Sequence, residues 1–331
     1  MSRLLKRHWF LVALLILIPL GVATGLNFGE QVNRFGDYVN ARWITAIALF
    51  LMSFTLNSSH LKRSLASPGP VLLATAINFG LLPALALLIA PLQLSLDFQY
   101  GLMVAASSPC TMAAASVWTR QANGNDAVSL LVTLITNAVC VVVTPFWLQL
   151  GTGSELELGF SQMASRLLLA VLIPGFLGQL LRLNTRVAGF ATKHKPRLSV
   201  LAMSCILMLV LSSSLKAGAQ LASTSKAPDA TAVLVVWLSC IGLHLVAMFI
   251  AWFACRTLRV SDFDRPAVLF ASSQKTLPIG VMMATELANE VGVAFAVFPM
   301  LMFHASQLVI DTGIANRLRR QSADDQLAAE R

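Results

Sequence analysis

The sequence predicts an all-α integral membrane protein of ten transmembrane helices, built as two inverted five-helix repeats. Three observations predict it. Ten apolar stretches of spanning length can be drawn, at about 9–27, 43–58, 70–90, 98–120, 126–150, 164–182, 197–217, 230–256, 266–288 and 292–314. Two of them, the fourth and the ninth, are interrupted by polar residues in the pattern Ala-Ser-Ser-x-x-Thr, at Ala106–Thr111 and Ala271–Thr276, about 165 residues apart. Leu17-Ile18-Pro19 in the first stretch is echoed by Leu172-Ile173-Pro174 in the sixth, at the similar offset of about 155. Five is odd, so a second copy of a five-helix unit enters the membrane upside down. Matches this short also arise from biased composition alone, and that is the competing reading of the repeat.

Composition supports the class. Hydrophobic residues make up 56% of the chain, charged residues only 12%, and mean hydropathy is +0.73, whereas soluble domains carry roughly a quarter charged residues. The basic start (Arg3, Lys6, Arg7) and the apolar run from Trp9 resemble a signal peptide, but the run is long enough to span, so it is read as the first helix. The net charge of +9 comes from short basic clusters between apolar runs, the pattern of membrane loops and not of a nucleic-acid surface. With the N-terminus inside, 18 of the 24 Lys and Arg fall on the cytoplasmic side. Five (Arg34, Arg42, Arg166, Lys216, Lys226) fall outside, and Lys275 lies within a span. This places both termini in the cytoplasm of a multi-pass protein of the cell (inner) membrane. Residues 1–320 read as a single membrane domain, with repeat one at about 9–150 and repeat two at about 164–314. Residues 321–331 read as a short cytoplasmic tail. None of the five cysteines forms a metal-binding spacing.

The interrupted spans carry the functional reading. Apolar segments broken at corresponding positions of two halves point to a transport site, because freed backbone groups and half-helix ends can hold a substrate or ion at mid-membrane. Pro109, Pro278 and Gly280 are the expected helix breakers. Polar residues inside the spans are the candidate ligands: Asn78 in helix 3; Ser107, Ser108, Thr111 and Ser116 in helix 4; Ser129 and Thr133 in helix 5, with Thr136 and Asn137 nearby; Ser272, Ser273, Gln274, Lys275 and Thr276 in helix 9; and His304 and Gln307 in helix 10. For any single hydroxyl the competing reading is a bond to the preceding turn. His304, Gln307 and Asp311 share one face of helix 10, with Asp311 placed toward the cytoplasmic end; His304 is either packed or a participant, and His244 is read as structural. Lys275 has no route to snorkel out of the membrane. It either ties a broken helix together or supplies a positive charge to a binding site. No HExxH, GxSxG or paired intramembrane aspartates occur, which argues against an enzyme; a non-transporting receptor or regulator remains the other alternative.

At these stretches the sequence resembles the bile acid:sodium symporter family, in the branch of sodium/bile acid cotransporter seven, over nearly the whole chain. Pro109-x-Thr111, Thr119-Arg120 and Gly124-Asn125-Asp126 look like that branch's P-x-T, T-K and G-N-E. Phe270 to Leu277 looks like its F-x-S-x-[QH]-K-[ST]-L, and Phe298-Pro299 with His304-x-x-Gln307 like its F/V-P and H-P-x-Q. The resemblance implies a core domain with helices 4 and 9 broken and crossed, and a panel domain of helices 1, 2, 6 and 7. It implies symport of a small organic anion with sodium as coupling ion, no other cofactor, and a monomer or homodimer in the bilayer. By position, Ser129, Thr133 and Gln274 match the family's sodium ligands; the family's helix 4 Asn is absent among Ala113 to Ser116, and Phe270 stands where it has a Glu. Two coupling schemes follow. Sodium binds at the remaining ligands, or Lys275 serves as a built-in cation and the carrier is proton-coupled or sodium-independent.

Overall fold

The computed structural model describes residues 9–29, 31–32, 40–57, 68–112, 114–153, 159–223 and 228–329. Arg3, Lys6, Arg7, Arg34, Lys62, Arg63, Lys226 and Arg331 from the charge count, and Ala113, lie outside the described residues. Every regular element among the described residues is a helix, with no strand among them. In order they form α1 (Trp9–Asn27), α2 (Ala41–Thr55), α3 (Pro68–Leu92), α4 in two halves (α4a, Leu96–Ser107; α4b, Ala114–Gln121) and α5 (Asp126–Thr152). Then follow α6 (Phe160–Leu181), a short helix at Thr185–Lys193, α7 (Lys195–Ser223), α8 (Ala230–Thr257), α9 in two halves (α9a, Arg265–Ser273; α9b, Leu277–Val291) and α10 (Val297–Ala329).

Six of these, α3, α5, α6, α7, α8 and α10, are long and apolar enough to cross a membrane, and α1 and α2 include shorter apolar helices. Each half of α4 and α9 alone falls short of the roughly 20 residues a span requires. Together with the fully apolar outer faces, for example Leu88, Leu169 and Phe249, this makes the chain a multi-pass membrane protein.

Two features departed from the sequence reading. Helix 10 starts at Val297, later than 292, because Gly292 closes α9b in the left-handed conformation (φ 77°) and a 3-10 turn at Ala294–Ala296 follows. It also continues to Ala329, so most of the expected tail is helical. The basic loop after α6 contains an additional helix, because Asn184 caps it by accepting from the backbone N–H groups of Arg186 and Val187.

Both α3 and α6 contain a π-helical turn, at Ile77–Leu81 and Leu168–Leu172, each just before a proline, Pro83 and Pro174. Proline has no N–H and its ring crowds the carbonyl four residues back; one extra residue in that turn relieves the clash but leaves carbonyls without a helical partner.

The helices pack in two groups. One comprises α1, α2, α6 and α7; the other comprises α3, α4, α5, α8, α9 and α10. The groups meet where α9b lies against α2 and α7 and where α5 lies against α6. In the first group α1 and α7 approach backbone to backbone. A Cβ on Gly25 would lie 2.2 Å from the Leu215 carbonyl oxygen, and one on Gly218 would lie 2.2 Å from that of Val22. Small residues spaced four apart, Gly21 and Gly25, permit that contact, since helix association in lipid relies on close packing. Gly25→Ala is therefore expected to lower the thermal unfolding midpoint of the purified protein, at a cost of roughly 1–3 kcal/mol. Gly313→Ala, where the added methyl group meets nothing within 4 Å, should not lower it.

Candidate functional site

The two broken helices meet at their breaks. α4a ends at Ser107, residues 108–112 are non-helical, and α4b begins at Ala114. α9a ends at Ser273; Gln274 and Thr276 are extended, and α9b begins at Leu277. The Thr276 N–H donates to the Pro109 carbonyl at 2.9 Å, so one hydrogen bond joins the two breaks directly. Pro278 lies in the first turn of α9b, where its missing N–H costs nothing, so it starts the second half-helix instead of interrupting one. Gly280 also lies within α9b and serves close packing: a Cβ there would sit 2.3 Å from the Met300 sulfur and 3.1 Å from Ser108 Oγ.

Lys275 is fully buried at this crossing. Its ammonium donates to the Asn78 carbonyl (2.7 Å), Asn78 Oδ1 (3.1 Å) and the Ser108 carbonyl (2.9 Å), and it lies 5.4 Å from the centre of the Phe79 ring. The local structure explains why these oxygens are available. The Leu82 N–H bonds to Ile77 in the π-helical turn and residue 83 is proline, so the carbonyls of Asn78 and Phe79 have no helical donor. Lys275 takes the first, and the Trp147 indole N–H takes the second at 2.7 Å. Ser108 is the C-cap of α4a, where carbonyls are orphaned and the helix dipole favours a cation. Among the described residues no carboxylate forms an ion pair with Lys275.

α10 supplies the opposite wall. Gln307 accepts from the Lys275 N–H and donates to the Lys275 carbonyl, both at 2.9 Å, and so replaces the helical partners that residue lost in the break. The same amide group lies 2.8 Å from His304 Nδ1, which is also 3.4 Å from the Lys275 carbonyl. Asn78 Nδ2 faces the carbonyls of Ala271, Ser272 and Gln274 and caps the end of α9a.

Two residues outside the expected ligand set complete the layer. Asp311, fully buried, accepts from Gln274 Nε2 at 2.6 Å and contacts His244 Nε2 at 3.0 Å. His244 Nδ1 lies 3.3 Å from the Ser273 carbonyl, an acceptor only. Asp311 therefore joins the α9 break through Gln274, and His244 is its partner. The spacing of His304, Gln307 and Asp311 on one helical face was the available signal for Asp311. His244 had no sequence signal.

The remaining candidates separate. The hydroxyls of Ser107, Ser108, Ser272 and Ser273 bond carbonyls of their own helices, while the carbonyls of Ser107, Ser108 and Ser272 accept from Thr144, Lys275 and Asn78. α5 braces the break in α4: Thr133 Oγ1 donates to the Thr111 carbonyl (3.1 Å), Asn137 Nδ2 to that of Cys110 (2.9 Å) and Thr144 Oγ1 to that of Ser107 (2.7 Å), while Thr136 Oγ1 accepts from the Cys110 N–H (3.2 Å). Ser129 is paired with Thr119 at 2.6 Å. The hydrogen bonds of Ser129, Thr133 and Gln274 thus go to three different partners. Gln274 Oε1, Thr276 Oγ1 and Asn137 Oδ1 are buried without a hydrogen-bond partner, and all three are neutral oxygens of the kind a hard cation takes. Thr111, Ser116, Thr276 and His304 also line a cavity of about 660 Å³ between the two helix groups, as do Arg120 and Lys195.

Residues 8–320 match the family described as the SBF-like CPA transporter family, nearly the full length of the chain. The chain belongs to that family. Its relatives include a probable chloroplastic sodium/metabolite cotransporter BASS4 of Arabidopsis thaliana, 25% identical over 93% of this chain and 73% of that protein. Sodium/bile acid cotransporter 7-B of Xenopus laevis is 23% identical over 92% of this chain and 90% of that protein, and an uncharacterized protein of Pseudomonas aeruginosa is 26% identical over 87% of each. As a member of the SBF-like family the protein is a membrane transporter and not an enzyme.

Replacing Gln307 by Leu in this transporter removes both bonds to the Lys275 backbone and leaves a buried N–H and a buried C=O unpaired. The expected loss is on the order of 3 kcal/mol, read as a lower thermal unfolding midpoint of the purified protein.

Proposed function

We propose that the protein is a secondary carrier for a small organic anion, cation-coupled and working by alternating access. In this reading it has ten spans in two inverted five-helix repeats, both termini are cytoplasmic, and α1, α2, α6 and α7 form a panel that moves against the other helices. The observation that carries the proposal is the cavity that runs between the two groups to the crossing. Its inner end is lined by Ala114, Thr276 and Leu277, at the N-terminal ends of α4b and α9b. Helix N-termini favour anions, and two meet this cavity, whose lining also includes Lys195 and Arg120, the latter paired with Asp126 at 3.3 Å. The other lining is mainly apolar, including Met52, Met112, Trp118 and Leu308, which suits a carboxylate or phosphate borne on an apolar body.

Two readings of the coupling ion have support. The relatives are named as sodium cotransporters, and the unpartnered oxygens of Gln274, Thr276 and Asn137 provide neutral ligands for sodium. Ser129 and Thr133 would join them only by giving up their present partners. In the second reading Lys275 takes the place of a bound cation, because its ammonium already occupies three oxygens at the crossing with no carboxylate beside it. Coupling then falls to a proton or to the charge of the substrate.

One measurement tests the function and separates the readings. A panel of labelled organic acids, chosen by thermal shift of the purified protein, is offered to proteoliposomes at varied sodium and pH, for the wild type and Lys275→Gln. Sodium symport predicts saturable stimulation by sodium, on the order of tenfold. Uptake that needs no sodium, with a pH dependence that Lys275→Gln removes, would assign coupling to Lys275. No uptake of any acid that shifts the unfolding temperature would refute the carrier.

A further inference from the structure

At the end of the molecule away from the cavity, a second polar cluster ties the two helix groups together. Glu286, near the C-terminal end of α9b, accepts from Arg42 at the start of α2 (Nε to Oε1 2.5 Å, Nη2 to Oε2 2.7 Å) and from Arg166 in α6 (Nη1 to Oε2 2.6 Å). The other arm of Arg166 reaches Glu290 at 2.8 Å. Both arginines belong to one group and both glutamates to the other. Beside them, Ser213 of α7 and Thr285 of α9b share a hydrogen bond of 3.1 Å. α2, α6 and α7 therefore grip α9b at one level, through polar contacts.

The cavity uses the opposite ends of the same elements. On α2 it touches Met52 to Leu56 and not Arg42; on α7, Lys195 to Ile206 and not Ser213; on α9b, Leu277 and Pro278. Leu277 and Glu286 are about 14 Å apart along the helix at 1.5 Å per residue. α9b thus has one end in the cavity and the other clamped between arginines. Glu286 is nearly buried, its side chain 9% exposed, whereas that of Glu290 is 36% exposed. Charge-assisted, partly bidentate bonds in such a place are strong and geometrically specific.

We propose that Arg42, Arg166, Glu286 and Glu290 form a gate that closes the far end of the path to the crossing, and that these ion pairs hold the protein in the conformation in which the cavity is open at the other end. Opening the far end requires the two groups to part along α9b, which breaks the four bonds together. Weakening the gate shifts the population toward the opposite opening.

The test uses thiol reactivity in the full-length protein in lipid nanodiscs, where both faces meet a polar reagent, in a Cys205→Ser background because the other four cysteines are buried. A cysteine at Ser213 reports the far end and a cysteine at Ser199, which lines the cavity, reports the near end. Glu286→Gln is expected to raise the rate at Ser213→Cys about tenfold or more, as loss of bonds to a charged group implies, while the rate at Ser199→Cys falls. Glu290→Gln, which removes one partly exposed bond, should move both rates in the same directions by less. Unchanged rates in Glu286→Gln, or rates that rise at both positions, would overturn the gate. If Glu286→Gln does not fold, Glu290→Gln decides: a rise at Ser213→Cys with a fall at Ser199→Cys supports the gate, and any other result overturns it. No substrate is needed, so this outcome is independent of the uptake measurement.

Discussion

A backbone polar group inside a membrane has no water to turn to, and the structure around the crossing is a set of answers to that constraint. Breaking α4 and α9 frees N–H and C=O groups at four half-helix ends, and the proline-linked π-helical turn in α3 frees two more carbonyls. The donors and acceptors that meet them come from other helices: Asn78 and Lys275 on carbonyls, Gln307 on both faces of the Lys275 peptide groups, Thr133, Asn137 and Thr144 on the carbonyls of the α4 break. Each helix alone would be unstable as built. The defects in one are the partners of the next.

The charges follow the same logic. Lys275 rests only on neutral oxygens and a helix C-terminus, while the nearest buried carboxylate in the network, Asp311, is held by His244 and Gln274 one step along the chain. Lys275 and the Asp311–His244 pair thus meet the α9 break at adjacent residues, Lys275 and Gln274.

α9b connects this chemistry to the shape of the molecule. Its first residue is bound to the other break through Thr276 and Pro109, its first turns pack on Met300, and its last turns are gripped by the arginines of α2 and α6. Close backbone packing of α1 on α7 holds the first group together.

The amino-acid sequence by itself determined the membrane class, the order and approximate positions of the long helices, though not the full extent of α10 or the short helix at Thr185–Lys193, and the places where two of them break. These are local signals: apolar runs of spanning length, and a lysine and prolines where the run should continue. Asn78, Gln274, Lys275, His304 and Gln307, which the structure brings together at the crossing, stood out for the same reason, since a polar side chain in such a run is conspicuous. Pro278 and Gly280 were legible as special positions but not as what they do, because helix start and close packing depend on what lies alongside. Only the tertiary structure decided that the serine hydroxyls turn back on their own helices while the carbonyls of Ser107, Ser108 and Ser272 accept from Thr144, Lys275 and Asn78, that Asp311 joins His244 and Gln274, and that Arg42 and Arg166 share Glu286. Those pairings connect residues 67, 37, 244 and 120 positions apart. No local pattern encodes them, because they exist only once the chain has crossed the membrane several times and brought its distant defects together.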